Sequence, residues 1–149
     1  IIYSFLSAVS DIILLSINRM YNLMILNPDI LRDVLLKMEE AGYLEELSPT
    51  SLYASLNYSE EAINYSILKL SEAGFIKAVI TNYGNVPQIS ALCDITYQGH
   101  LFLTDIRSDN VWGKTKQVLA KIGTTSVSSI SQVASGILGI IIKQELGLI

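Results

Sequence analysis

Residues 59–76, SEEAINYSILKLSEAGFI, hold the clearest folding instruction in the chain, because a capped amphipathic helix runs directly into a strand. Ser59 is placed to cap the helix, and Ile63, Ile67 and Leu70 recur at i, i+4 and i+7, which puts them on one face. Gly74 supplies the left-handed residue that ends the helix, and Phe75 and Ile76 begin a β-rich run.

Working upstream, Asn27 caps a second helix, Pro28 takes its first position and Asp29 complements its dipole. Leu31, Val34, Leu35 and Met38 mark its apolar face, and Gly42 stops it. Ser48 and Pro49 start a shorter helix carrying Leu52, Tyr53 and Leu56, and Asn57 and Tyr58 make the turn into the 59–74 helix. Downstream, Phe75 to Thr81 and Ile89 to Ile95 flank TNYGNVPQ, a turn-rich segment with Gly84 and Pro87, which predicts a β-hairpin with Ala91, Cys93 and Ile95 pointing inward. A helix follows from about Tyr97 to Arg107, packing Leu101, Leu103 and Ile106. Ser108 or Asp109 caps another, on which Val111, Thr115, Val118 and Ile122 share a face. The expected fold class is α+β and mostly helical, a winged helix-turn-helix with a β-hairpin wing and a two-helix C-terminal extension. Its divisions are an N-terminal extension at 1–23, the winged-helix domain at 24–109 and the helical extension at 110–149.

Residues 95–116, ITYQGHLFLTDIRSDNVWGKTK, resemble the signature of the bacterial and phage family known as domain of unknown function 2513. The positions that carry the likeness are Thr96, Tyr97, Gly99, His100, Phe102, Leu103, Ile106, Arg107 and Trp112, with Glu72 to Ile76 also agreeing and similarity expected from Met24 through Leu148. The resemblance implies a small winged-helix protein of bacteria or their mobile elements, with no assigned activity. In that family a His is expected in the middle of the third helix, where this chain has Ser66. Gly99, His100, Arg107 and Trp112 are then expected to be structural.

Charge limits the partners. The 149 residues carry a formal net charge of −4, so the whole molecule has no long-range attraction for phosphates. One Cys and one His, Cys93 and His100, cannot furnish a Cys/His zinc site, and a single Cys makes no internal disulfide, which fits a reducing cytoplasm. No cofactor or metal is expected. Residues 1–23 are apolar but have no basic start or small-residue cleavage site, and Asp11 interrupts the run, so they read as a translated leader or an accessory helix.

With Ile63, Ile67 and Leu70 turned inward, the outward face of the 59–74 helix holds Glu61, Tyr65, Leu68 and Glu72, with Asn64 and Lys69 at its sides. Carboxylates repel phosphate, whereas Tyr and Leu suit a protein contact. The turn at 81–88 has no charge and offers only Tyr83 and Asn85 to a partner. Lys114, Gln117 and Lys121 share a face, and residues 110–149 carry four Lys against one Glu, a net of +3. An enzyme centred on His100 would need convergent acids, and His100 and Asp105, five residues apart on a helix, point in different directions. No catalytic residue is assigned.

Between Lys121 and Lys143 lie 21 uncharged residues, long enough in principle to cross a bilayer, but eleven are Gly, Ser, Thr or Gln. Ile130, Val133, Ala134, Ile137 and Ile141 form a stripe suited to packing or self-association rather than to spanning. The leading expectation is a nonenzymatic, DNA-associated regulator of phage or mobile-element type. The alternative is a protein–protein adaptor without DNA binding.

Overall fold

The computed structural model describes the backbone of residues 1–21 and 24–149 and the side chains of 1–13 and 24–149. Among these residues the chain is α+β and mostly helical. Its elements run α1 (Ile2–Tyr21), α2 (Pro28–Glu40), α3 (Pro49–Ser55), α4 (Glu60–Glu72), β1 (Ile76–Tyr83), β2 (Val86–Ile95), α5 (Tyr97–Ile106), α6 (Asp109–Ile122) and α7 (Val127–Glu145). The division expected after Leu23 lies outside the described residues.

The helix starts follow from capping chemistry. Asn27, Ser48, Ser59, Thr96, Ser108 and Ser126 each accept a backbone N–H from the first turn of the helix they precede. One contiguous core joins α2 (Leu31, Val34, Leu35), α3 (Leu52), α4 (Ile63, Ile67, Leu70), the hairpin (Ile76, Leu92, Ile95) and α5 (Phe102, Leu103, Ile106). Trp112 and Leu119 of α6 and Ile130 and Ala134 of α7 belong to the same cluster. Each fully buried aliphatic side chain contributes roughly 1.5–3 kcal/mol.

The hairpin is antiparallel and closes through Gly84 and Asn85, with Gly84 at φ +63, the left-handed geometry that a two-residue turn demands. Two irregularities bend it. The register passes from Lys77↔Asp94 to Ala78↔Leu92, skipping Cys93, and from Val79↔Ala91 to Ile80↔Ile89, skipping Ser90. The first bulge overturns the simple alternation, so Leu92 is 1% exposed while Cys93 is only half-buried. On the outer edge of β2, Leu47 and Leu92 exchange both backbone hydrogen bonds, at 2.9 and 2.8 Å, and so form a one-residue third strand.

Two further expectations need correction. In α6 the buried face is Val111, Trp112, Thr115 and Leu119, whereas Val118 and Ile122 are exposed. The core meets α6 about one residue further round than the simple i, i+4, i+7 reading. In α5 Phe102 is buried and Leu101 exposed, because the ring packs on Phe75 with centroids 4.9 Å apart.

Gly99 fixes the junction of α4, β1 and α5. Phe75 N–H donates to Leu70 O at 3.0 Å beside Gly74 at φ +77, which closes α4. The Thr96 hydroxyl donates to Gly74 O at 2.6 Å, and Thr96 N–H donates to Phe75 O at 3.0 Å. A Cβ at position 99 would lie 2.0 Å from that same Phe75 oxygen, so only glycine admits this approach.

Candidate partner-contact surface

Helix α4 holds its inner face with Ile63, Ser66, Ile67 and Leu70. Ser66 is 1% exposed and donates its hydroxyl to Ala62 O at 2.9 Å, so this small polar residue satisfies itself inside the core. Outward, Glu61 and Glu72 are exposed and Tyr65 and Leu68 half-buried. The Lys69 ammonium lies 2.8 Å from Glu72 and 5.3 Å from the Tyr65 ring centroid. Hydrogen bonding to Glu72 holds Lys69 above the usual lysine range. This cation is therefore already engaged by two neighbours. Glu60 and Glu61 occupy the first turn, where they complement the helix dipole and repel an incoming phosphate.

Two clefts flank α4. On one side Met24, Leu26, Tyr65, Lys69, Glu72 and Val127 help to line a space of about 490 Å³, so the α6–α7 connection and the approach to α2 border the outer face. On the other, α3, α4 and β2 enclose about 380 Å³ lined by Ser48, Pro49, Thr50, Tyr53, Asn64, Pro87, Gln88, Ile89 and Ser90. Every one of those residues is uncharged. The Tyr53 hydroxyl donates to Asn64 Oδ1 across it. Tyr83 sits apart at the hairpin turn, 66% exposed.

Lys114 and Lys121 are exposed on α6 and make no ion pair among the described residues. The remaining motif residues tie helices together. Arg107 donates to both Glu39 oxygens at 2.7 and 2.6 Å, and these bonds hold the Glu39 carboxyl below its ordinary range. Trp112 Nε1 donates to Asp29 Oδ1 at 2.8 Å, and Lys116 reaches the same carboxylate at 3.1 Å. Arg32 caps the end of α5, donating to Ile106 O at 2.8 Å and Arg107 O at 2.6 Å, while pairing with Asp109 at 2.9 Å.

His100 is exposed on α5, with Glu39 within its electrostatic reach. Asp105 is half-buried, and burial pushes its carboxyl up. Among the described residues no three His, Cys, Asp or Glu side chains gather where they could hold a metal. Sequence reasoning missed Asp29, Arg32 and Glu39 as the partners of Trp112, Asp109 and Arg107, since 68 to 83 residues separate them. It also missed the cleft beside Asn64.

The helix α7 has the length and composition of a membrane-crossing segment, the only described helix that does, and Val127, Ile130 and Ala134 on one of its faces are buried in the core. The apolar stretch Ile2–Ile13 of α1 is shorter.

Comparison with known proteins gives a family. An uncharacterized protein of Haemophilus influenzae is 31% identical over 115 residues, covering 75% of this chain and 93% of the relative. No solved structure matches. The family model described as "Hypothetical protein (DUF2513)" matches residues 25–126, from just before α2 to just before α7. Neither description assigns an activity. The chain belongs to the DUF2513 family.

Proposed function

We propose that this chain is a nonenzymatic, cytoplasmic regulatory module of winged-helix type that contacts another protein through the outer face of α4 and the adjoining hairpin. In this reading α3 and α4 are the helix-turn-helix and β1–β2 the wing. The observation that carries it is the charge state of that face. Lys69 is engaged by Glu72 and Tyr65, Glu60 and Glu61 stand at the helix start, and residues 81–88 carry no charge. A surface that neutralises several phosphates needs several free cations, and on α4 and the hairpin Lys77, exposed near the start of β1, is the one Lys or Arg without an ion pair among the described residues. Half-buried Tyr65 and Leu68 instead give the aromatic and aliphatic centre typical of protein contacts.

The test is a photo-crosslinking residue at position 68, expressed in bacterial cells. A protease-sensitive adduct that disappears with Tyr65→Ala is the expected result. A nuclease-sensitive adduct would sink the proposal.

A second reading, a DNA-associated regulator of phage or mobile-element type, draws on Lys114 and Lys121, which are exposed on α6 and make no ion pair among the described residues. It requires duplex binding that weakens with salt and weakens further in Lys114→Ala, whereas Lys69→Ala leaves it nearly unchanged.

A further inference from the structure

We infer that the loop after α2, with Tyr43 and Leu44 at its tip, docks on the outward face of α6 in a second copy of this chain. The loop is built to project. Glu45 N–H donates to Gly42 O at 2.9 Å and Gly42 N–H donates to the Glu45 carboxylate at 3.2 Å, so the turn closes on itself. Its two central side chains are left in solvent, Tyr43 at 92% and Leu44 at 82% exposure. Leu44 holds φ +64 at the third position of that turn, where glycine is the ordinary residue. A large apolar side chain kept on a strained backbone and outside the core gains nothing from its own fold, and such outliers point to a contact made elsewhere.

Charge names the occupant. Glu45 and Glu46 stand exposed beside the tip and make no ion pair among the described residues. The same holds, with the opposite sign, for Lys114 and Lys121 of α6. Val118 and Ile122 are exposed with them, and the spacing i, i+4, i+7 and i+8 from Lys114 puts all four on one helical face. An acidic, apolar tip thus meets its counterpart in a basic, apolar face, the complementarity that sets partner and register. The two do not meet within one chain. Trp112 and Lys116 fasten α6 to Asp29 in the first turn of α2, whereas the loop continues from the last turn of that thirteen-residue helix, about 20 Å away. The contact is therefore head-to-tail, each copy offering its loop to one neighbour and its α6 face to another, so assembly passes the dimer unless a ring closes. It uses neither α4 nor the hairpin.

The experiment follows the mass of the full chain by sedimentation over a wide concentration range, at low and high salt. The wild type is expected to grow with concentration, and less so at high salt, because the opposed charges are exposed and screened. Two variants should each weaken that growth at least about tenfold: Tyr43→Ser with Leu44→Gly, which removes the tip and keeps its acids, and Lys114→Glu with Lys121→Glu, which sets acid against acid. When dilute, the first should melt at or above the wild-type temperature and the second close to it, since all four side chains are exposed. Mixed, the two variants should form a complex that stops at one of each, because a single intact loop then meets a single intact α6 face. A wild type that stays monomeric throughout, growth that survives either double variant, or a mixture that forms no complex would each overturn the proposal.

Discussion

Replacing Gly99 with alanine tests the most constrained contact in the fold. The new Cβ would stand 2.0 Å from Phe75 O, 2.8 Å from Ile95 Cγ2 and 2.9 Å from Phe75 C. Two of these atoms are backbone, so relief requires α5 to retreat from the α4–β1 junction. Retreat stretches Thr96 N–H to Phe75 O, now 3.0 Å, and Thr96 Oγ1 to Gly74 O, now 2.6 Å. Each bond contributes about 1 kcal/mol, and overpacking costs typically 1–3 kcal/mol more. Alanine's better helix propensity returns about 1 kcal/mol. The net loss is about 3 kcal/mol, which for a chain of this size lowers Tm by roughly 6–12 °C. Thermal melts followed by circular dichroism measure it. Gly113→Ala in α6 is the internal control, since nothing lies within 4 Å of its added Cβ, and it should gain about 0.5–1 kcal/mol. Equal stabilisation by both substitutions would refute the argument from close approach.

Other outcomes follow from single contacts. Tyr58 is pushed up to about 12 by burial and by its hydrogen bond to Asp33 at 2.7 Å, so its neutral form is favoured in the fold. Its contribution is whole below about pH 10 and is lost as pH rises through about 12, amounting to about 1 kcal/mol after allowance for its partial exposure. A 295 nm titration of the wild type minus Tyr58→Phe should show one tyrosine ionising near 12, and a difference centred near 10 would sink this. Trp112→Phe removes the indole donor to Asp29 and should lower the unfolding free energy by about 2 kcal/mol, seen as a lower urea midpoint at constant slope and read by circular dichroism because this is the sole Trp. Leu44 holds φ at +64 while 82% exposed, so Leu44→Gly should stabilise by about 1 kcal/mol; destabilisation would mean that its side chain packs in solution.

The helices from α2 to α7 were legible because their signals are local. Asn27, Ser48, Ser59 and Thr96 announce starts within a few residues of the turns they cap, and the inner face of α4 is written in one heptad. The β2 pattern misled because a bulge at Cys93 leaves no mark in an alternating run, yet it exchanges the buried and outward positions around it. The α6 face misled for a different reason. Val118 and Ile122 continue the helical period, but Trp112 and Leu119 are the residues that the core meets. Apolar spacing locates a stripe only to within about one position, and the neighbouring elements choose within it.

The candidate site was legible in its charges and hidden in its shape. An acidic α4 and an uncharged turn could be counted from the sequence, and the pairing of Lys69 with Glu72 reinforces what the count implied. The cleft could not be counted. Its walls come from Ser48–Tyr53, Asn64 and Pro87–Ser90, segments distant in sequence that are brought together by the Leu47–Leu92 pairing, by Leu52 in the shared core and by the Tyr53–Asn64 hydrogen bond. The core makes a comparable point about α7. The family match ends at residue 126, yet Val127, Ile130 and Ala134 lie in the same cluster as Trp112 and Phe102. Only three positions of this nineteen-residue helix are fully buried, so many apolar sequences would satisfy the packing and a sequence pattern is weakly constrained there. Gly99 makes the opposite demand, since a Cβ there would stand 2.0 Å from Phe75 O and the contact admits one residue type, whereas α7 packs wherever a small or aliphatic side chain falls on its inner face.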